Sequence, residues 1–316
     1  PSLGNVCPVV EVKPYGLHDR GENGFIGSLR RNYSVPRYPQ AVTAVLTVAL
    51  SGVVAIITAA AGQVGAQPAP AAHRALYELS LSRAASGSEI ADVSGFLAFE
   101  WTESCDAWLT DQRFTLDYAY QNAEPTRFLS DLSSWEKKDG SRYRFDMRRT
   151  VDGALEEHIT GRAVRGPDGR PKAMFERPEQ KTFVLPNHAL FPSDHLFALL
   201  DAAAKGERFV ALPLFDGSEF EGAVPVTAFI HGPADDVDPG RALRSDQQIA
   251  TALLDSPAYR IRLAFFEGKG NDATPAYEMT LTLHENGLVS GMTLDYDRFS
   301  LIGRLSGLSA LSAPDC

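Results

Sequence analysis

The sequence is poor in the residues that usually build catalytic and metal centres. Cysteine occurs only three times in 316 residues. The seven histidines include no pair at the short spacing typical of zinc ligands. No Gly-x-Ser-x-Gly sequence occurs, so the chain lacks the turn that exposes the nucleophilic serine of α/β-hydrolases. We therefore expect no cofactor, no metal and no catalytic residues.

Basic side chains are also in deficit. The chain has 30 lysines and arginines against 40 acidic residues, a net charge of −10. Residues 1–66 hold five of the basic and three of the acidic side chains, so the remainder has a net charge of −12. Neutralising the phosphates of a nucleic acid requires a basic surplus. We therefore exclude nucleic acid as a partner.

Long apolar stretches are absent except for one. The run Ala41–Ala61 contains no charged side chain, follows three arginines within residues 30–37, and leads to the small residues of Val64-Gly65-Ala66. A basic flank, an apolar middle and a small-residue exit are typical of a secretory signal. We expect cleavage between Ala66 and Gln67 and export of the remaining chain from the cytoplasm. A retained membrane anchor is the alternative, but the run is rich in Ala, Thr, Ser and Gly, which drive insertion weakly.

This run divides the chain into three parts. Residues 1–40 show no periodic pattern and are predicted to be an unstructured upstream segment, for which a start assigned too far upstream is the simplest explanation. Residues 41–66 are the signal region with its cleavage site. Residues 67–316 are long enough for one large β domain, and we expect a single periplasmic domain there.

The predicted mature chain contains two cysteines, Cys105 and Cys316. Two cysteines in an exported protein most simply form one disulfide, because the compartment is oxidising. A catalytic cysteine is the alternative. A disulfide would close a long loop and would hold the last strand against fraying.

Alternating patterns predict a strand-rich fold from residue 75 onward. Residues 77–81 and 96–101 begin the series, which continues to residues 299–306, and β-branched and aromatic side chains are frequent throughout. Dipeptides that favour tight turns separate the runs: Asp139-Gly140, Asp152-Gly153, Asp168-Gly169, Asp216-Gly217 and Asn286-Gly287. The prediction is a mainly β fold, a long antiparallel meander that curls into an open barrel, or β-spiral, because strand twist accumulates.

Two short helices are predicted within this β fold. Ser193 is placed to cap a helix that runs to about Lys205 and ends at Gly206. A second helix is predicted from Ser245 to about Asp255, before Pro257.

Few side chains suggest chemistry. Ser193, Asp194 and His195 are adjacent in sequence, but neighbouring residues on a helix point about 100° apart, so we interpret them as capping and surface residues. His188 and His195 can converge on a metal, but surface or capping histidines are the simpler interpretation. The acidic segment Asp235–Gly240 suggests calcium, yet it lacks the later bidentate Glu and is expected to be a solvated turn.

Several aromatic side chains either line an apolar cavity or fill the interior, and strand periodicity cannot separate the two. We expect most of them to be core residues. They are Trp101, Trp108, Phe114, Tyr118, Tyr120, Phe265 and Phe266.

A set of short segments occurs in a fixed order and spacing: residues 75–81, 95–100, 104–106 with Trp108, 128–132, Trp135-Glu136, Leu185-Pro186, residues 191–196, residues 215–218 and the terminal Cys316. Together these segments resemble the EipB family of cell-envelope integrity proteins. The resemblance covers nearly all of residues 73–316.

This resemblance implies a periplasmic, non-enzymatic protein. It implies a β-spiral similar in shape to the lipoprotein carriers LolA and LolB, with one disulfide between a cysteine of an early strand and one at the C-terminus, here Cys105 and Cys316. It also implies a role in envelope integrity, in association with a periplasmic tetratricopeptide-repeat protein. We expect a non-catalytic factor that binds a protein partner; the alternative is a carrier of a lipid or lipoprotein acyl chain.

Overall fold

The computed structural model describes residues 70–166, 169–234, 250–266, 274–312, 314 and 316, and most of these residues lie in strands. The described part contains one α-helix, α1, which spans Pro192–Ala204. The strands are β1 (His73–Ala84), β2 (Ile90–Glu103), β3 (Ala107–Tyr120), β4 (Thr126–Lys137), β5 (Arg142–Val151), β6 (Ala154–Arg165), β7 (Pro171–Arg177), β8 (Lys181–Val184), β9 (Phe209–Ala211), β10 (Val226–Pro233), β11 (Ala258–Phe265), β12 (Tyr277–His284), β13 (Val289–Tyr296) and β14 (Phe299–Ala310).

All fourteen strands belong to one antiparallel sheet, in the order β8-β7-β6-β5-β4-β3-β2-β1-β14-β13-β12-β11-β10-β9. The chain therefore starts at the middle of the sheet, meanders out to one edge at β8, and crosses through α1 to the other edge at β9. It then meanders back to the middle, where β14 pairs with β1. The sheet is not closed, and the predicted fold class is confirmed.

The pairing of β1 with β14 joins the two halves of the sheet. It runs from His73 opposite Ala310 to Ala84 opposite Phe299, with two shifts of register along its length. The inward residues of β1 are fully buried, and the hydroxyl of Tyr77 donates a hydrogen bond to the Val289 carbonyl at 2.7 Å. This contact secures β1 to β13, beyond its immediate neighbour.

Most of the predicted turns are confirmed. Asp152 and Gly153 both have positive φ, 51° and 83°, as a two-residue hairpin requires. Gly140 and Gly287 also have positive φ in turns between consecutive strands. Asp168 lies outside the described residues. Asp216-Gly217 is different, since it lies in the longer loop between β9 and β10. Within this loop a bridge pairs Leu214 with Val224.

The apolar interior forms two clusters. The larger one lies between α1, the strands β1 to β3 and the strands β10 to β14. The smaller one is rich in aromatic side chains and is centred on β5, β6 and β7. Phe191 before α1 and Phe215 after β9 are both fully buried in this second cluster, so the crossover between the two sheet edges is packed against it.

An isolated bridge joins the segments that follow the two edge strands. Leu190, which follows β8, forms a parallel bridge with Leu214, which follows β9. The Leu190 amide donates to the Pro213 carbonyl at 2.8 Å, and the Phe215 amide donates to the Leu190 carbonyl at 2.9 Å. Beyond this bridge β8 and β9 remain edges, so the structure is a barrel with an open seam.

The second predicted helix differs in type over its described part. Residues 245–249 lie outside the described residues, and the part that follows forms a single 3₁₀ turn at Thr251–Asp255. Pro257 lies two residues after this turn, and a proline disfavours helical conformation in the residue before it. Among the described residues, no helix is long and apolar enough to cross a membrane. The signal run Ala41–Ala61 and its cleavage site lie outside the described part of the chain.

A disulfide joins Cys105 to Cys316, with a Cα–Cα distance of 5.6 Å and a sequence separation of 211. The expected pairing is present, but Cys105 lies in the turn between β2 and β3 rather than within a strand. Both residues are exposed. The bond therefore ties the chain after β14 to the turn between β2 and β3.

Replacing Cys316 with Ser should lower the unfolding temperature markedly. A loop of this length restricts the unfolded chain by up to about 5 kcal/mol in the chain-entropy model, and measured losses are commonly about 2–5 kcal/mol. Thermal unfolding of Cys316→Ser, Cys105→Ser and the double variant tests this. The three should lose equal stability, and a stability equal to the oxidised wild type would contradict the role of the bond.

Candidate functional site

The first turn of α1 is held by a carboxylate from another element. Phe191 occupies the N-cap position in extended conformation and forms no side-chain cap, and Pro192 begins the helix. The buried carboxylate of Glu136 on β4 accepts from the Ser193 amide at 2.7 Å and from the Asp194 amide at 3.1 Å. The prediction that Ser193 caps the helix is wrong, because Ser193 lies inside the first turn and Glu136 satisfies the free amides.

Burial shifts the protonation of Glu136. Desolvation raises its pKa to about 7, although the hydrogen bonds from the Ser193 and Asp194 amides oppose the shift. The partial positive charge at a helix N-terminus favours an anion at this place. Burial outweighs this, so the carboxyl is partly protonated near neutral pH.

His195 is a buried structural residue, so its predicted surface position is wrong. Its Nε2–H donates to the Leu212 carbonyl at 3.1 Å, which fastens α1 to the segment after β9. Burial lowers the pKa of His195 to about 4, against the effect of this hydrogen bond. His188 is exposed. No group of three or more metal-ligating side chains is present in the described part of the chain, and Asp235–Gly240 lies outside it.

The predicted aromatic residues serve two different purposes. Trp101 and Trp108 stack with ring centroids 4.8 Å apart, and Phe197 of α1 packs against both. They therefore form the surface on which the helix rests. Phe265 and Phe266 instead line a cavity.

A loop after β9 forms one wall of this cavity. Its backbone is held at two places: the Tyr143 hydroxyl donates to the Asp216 carbonyl at 2.8 Å, and Arg149 donates to the Ser218 carbonyl at 3.0 Å. Gly217 has a φ of +72°, and a Cβ there would lie 2.3 Å from the Phe145 ring. A side chain at this position is therefore excluded both by conformation and by space.

Arg149 also connects the loop to β6. Its guanidinium pairs with Glu157 at 2.7 Å and with Glu219 at 2.5 Å. Both carboxylates lie in the cavity wall. A single cation therefore positions two of the acidic side chains of the cavity.

The cavity has a volume of about 540 Å³ and opens to solvent. Its apolar wall is formed by Leu214, Phe220, Val224, Phe265, Phe266 and Ala276. Its polar wall is formed by Glu157, Asp216, Ser218, Glu219, Glu221 and the side chain of Tyr277. A volume of this size is within the range of small-molecule sites.

A row of aromatic rings leads from the cavity across the sheet. Phe265 stacks on Tyr277 at 4.4 Å, Tyr277 on Tyr296 at 5.7 Å, and Tyr296 on Phe299 at 4.8 Å. Tyr118 continues the row with an edge-on contact to Phe299 at 5.9 Å. Burial raises the pKa of the phenol of Tyr277 well above its usual range, so the phenol remains neutral.

The opposite face of β9 and β10 carries an exposed apolar pair. Phe209 on the edge strand lies directly opposite Phe229, with exposed fractions of 62% and 43%. The His231 ring lies 4.7 Å from that of Phe229. β10 exchanges backbone hydrogen bonds with every second residue of the β9 segment. The N–H and C=O groups of Phe209 and Ala211, which lie between those residues, therefore point away from β10. No described strand pairs with this outer edge of β9, so the site combines an unpaired sheet edge with two aromatic rings.

Sequence reasoning missed Glu136, Arg149 and this aromatic pair. Glu136 has a signal that could have revealed it, since it lies on the same face of β4 as the apolar residues Phe128 and Leu132. A charged residue at an inward position needs a buried partner. The partner itself, the start of a helix 57 residues later, has no signal in the local pattern.

These features define an open, antiparallel β-barrel-like protein with a ligand-sized cavity and an unpaired sheet edge. The chain belongs to the EipB-like family, whose pattern matches residues 65–312. It is 29% identical over 254 residues to the cell envelope integrity protein EipB of Brucella abortus (strain 2308), covering 78% of this chain and 88% of that protein.

A solved structure supports the same assignment. The structure of a β-barrel-like protein of the domain family DUF1849, also from Brucella abortus, superposes with a TM-score of 0.70 at 26% identity. The match covers 77% of this chain and 99% of the solved chain. The predicted family resemblance is therefore confirmed.

The unusual protonation of Glu136 predicts the pH dependence of a Gln variant. The folded-state pKa is raised above the unfolded value of 4.5, so the native state binds the extra proton, and wild-type stability falls as pH rises from about 4.5 to 7. The shift corresponds to about 3 kcal/mol. Glu136→Gln has no carboxyl to ionise and does not lose this stability as the pH rises. The free energy of unfolding of the variant, minus that of the wild type, should therefore increase by a similar amount between pH 4.5 and 8.

Urea unfolding at the two pH values measures this difference. Glu136→Ala is the matched comparison, because it leaves the Ser193 and Asp194 amides without an acceptor and should be destabilised at both pH values. If the difference in free energy of unfolding between Glu136→Gln and the wild type is the same at both pH values, the carboxyl does not titrate in this range.

Proposed function

We propose that this protein is a non-catalytic, periplasmic factor that maintains the integrity of the cell envelope by binding a protein partner. Membership of the EipB-like family supports the envelope role, since the Brucella relative is named for it. The observation that carries partner binding is the free edge of β9 beside the exposed rings of Phe209 and Phe229.

A short edge strand with exposed aromatic side chains suits an extended peptide segment. Such a segment adds to the sheet through main-chain hydrogen bonds, and alternate side chains provide specificity. Phe209 and Ala211 offer their backbone groups, and the two rings offer an apolar contact beside them. The partner to test first is a periplasmic tetratricopeptide-repeat protein, which the family resemblance suggests.

The surroundings of Ser193 and His195 support a role without catalysis. The Ser193 amide is bound to Glu136, and the imidazole of His195 is buried and donates to a backbone carbonyl. Burial also keeps the pKa of His195 far below neutral pH, which disfavours the imidazolium that a serine–histidine mechanism forms.

A carrier function is the second candidate, and the cavity of about 540 Å³ favours it. A carrier shields an apolar chain from water, which needs a cavity with an apolar wall and an opening to solvent. In that case the aromatic row from Phe265 to Phe299 would extend the apolar surface.

Removing the aromatic pair should abolish function while leaving the fold intact. In a strain that lacks the gene, the Phe209→Ser, Phe229→Ser variant should fail to restore resistance to detergents and cell-wall-directed antibiotics. Leu155→Ser is the matched control, because Leu155 is 60% exposed on β6 and does not belong to the β9 edge, and it should restore resistance. Full complementation by the double phenylalanine variant would refute the proposed binding edge.

Replacing the serine and histidine should leave resistance unchanged. We expect a chain with Ser193→Ala and His195→Gln to complement the deletion, since Gln keeps a donor for the Leu212 carbonyl and neither side chain has a catalytic role. Thermal unfolding confirms that the variant is folded. Failure of a well-folded variant would favour an enzyme.

A further inference from the structure

The cavity behind the β9–β10 loop does not include the residues of the proposed partner edge. Leu214 and Val224, which form a bridge within this loop, both line the cavity. Phe209 and Phe229 lie on the exposed face of the hairpin and are not part of the lining. A small molecule in the cavity therefore contacts residues other than those that a protein partner would use.

Asp216 presents one unused carboxylate oxygen in the cavity wall. Its Oδ1 accepts from the Ser218 amide at 2.9 Å and from the Ser218 hydroxyl at 2.8 Å. Within the described part of the chain, no other residue donates a hydrogen bond to this carboxylate. Burial raises the pKa of Asp216, because the ionised carboxylate lacks full solvation. A ligand hydroxyl that donates to Oδ2 would supply part of the missing stabilisation.

The phenol of Tyr277 is a second hydrogen-bonding group of the lining. Its ring is stacked between Phe265, at 4.4 Å, and Tyr296, at 5.7 Å, so its position is fixed. Its hydroxyl forms no hydrogen bond with another described residue. Burial raises the pKa of this phenol, and the charge of Asp216 adds to the effect. The hydroxyl therefore stays neutral, and a neutral phenol both donates and accepts.

Two further carboxylates of the lining are already paired. The guanidinium of Arg149 holds Glu157 at 2.7 Å and Glu219 at 2.5 Å, so we assign these two side chains no contact with a ligand. Arg149 also donates to the Ser218 carbonyl at 3.0 Å. The loop that carries Asp216 is therefore held in place before a ligand arrives, which reduces the entropic cost of binding.

The apolar part of the lining includes an aromatic ring without a ring partner. Phe266 is half-buried, and its ring contacts no other aromatic ring of the described residues. The face of an aromatic ring carries partial negative charge and attracts C–H groups that neighbouring oxygen atoms polarise. A plain hydrocarbon chain would satisfy this apolar surface but would leave Asp216 and Tyr277 without partners. The lining as a whole suits a ligand with both hydroxyl groups and C–H faces.

We propose that this cavity binds a neutral saccharide of one or two pyranose rings. Its hydroxyls donate to Oδ2 of Asp216 and form a hydrogen bond with the phenol of Tyr277, and the C–H face of one ring lies on Phe266. A pyranose provides both kinds of contact in one molecule, since hydroxyls surround a ring whose faces carry C–H groups. The cavity volume of about 540 Å³ is in the range of small-molecule sites.

Three disaccharides test the proposal on the wild-type protein: cellobiose, maltose and N,N′-diacetylchitobiose. Saturation-transfer difference NMR detects binding through the ring protons of each sugar. At least one of them should bind with a dissociation constant of about 1 mM or lower. Sorbitol has similar hydroxyls but no ring face, and it should bind at least about tenfold more weakly. Binding of none of the three at this affinity, or equal binding of sorbitol, would overturn the proposal.

Two variants locate the binding to this cavity. Asp216→Asn keeps the Oδ1 acceptor for Ser218 but replaces Oδ2 by an amide donor, so it should weaken the bound disaccharide at least about tenfold, as expected for a lost hydrogen bond to a charged group. Phe266→Leu keeps an apolar side chain but removes the flat ring, and it should weaken binding several-fold. Tyr259→Phe is the control and should change nothing, because the Tyr259 hydroxyl is bonded to Glu285 and does not line the cavity.

Dodecanoate distinguishes the saccharide from the acyl chain of the carrier candidate. If the protein binds dodecanoate in this cavity but none of the disaccharides, the saccharide site is wrong and the carrier is favoured. Phe209→Ser with Phe229→Ser should bind the disaccharide like the wild type, so failure of the proposed partner edge is separable from failure of this site. Binding that survives both Asp216→Asn and Phe266→Leu in folded protein, as judged by circular dichroism, would place the saccharide elsewhere and contradict the site.

Discussion

The architecture depends on the pairing of β1 with β14. Every other strand pair in the described sheet joins consecutive strands, whereas this pair brings together residues more than 200 positions apart. Ordering so long a loop has a large entropic cost, which the buried inner face of β1 and the Tyr77 hydrogen bond to Val289 offset. The disulfide between Cys105 and Cys316 adds a covalent link between the turn that joins β2 to β3 and the chain after β14.

Because the first and last described strands, β1 and β14, lie in the middle of the sheet, both edges are internal in sequence and the crossover must span them. Helix α1 does this, and its position is set by contacts from both sides. Glu136 binds the first turn from β4, while His195 binds the segment that follows β9. Burial raises the pKa of Glu136 and lowers the pKa of His195. A rise in pH therefore lowers the stability of the fold through Glu136, and a fall in pH lowers it through His195.

The open seam gives the β9–β10 hairpin two usable faces. Its outer face presents Phe209 and Phe229 beside a free strand edge, and its inner end borders the cavity with Leu214 and Val224. A fully closed barrel would pair that edge and leave only an interior. The loop that begins at Phe215 packs against the second core. Hydrogen bonds from the side chains of Tyr143 and Arg149 to its backbone hold the loop in the cavity wall.

The sequence by itself determined the mainly β class, nearly all the strands, most of the turns and the end of α1 at Gly206, because alternation and turn residues act over a few neighbours. Family-specific segments determined the family. Only the tertiary structure decided which strands are edges, that Glu136 rather than Ser193 holds the start of α1, that His195 is buried, and which aromatic residues line a cavity. These features depend on residues tens to hundreds of positions apart meeting in space, and a local pattern contains no information about such partners.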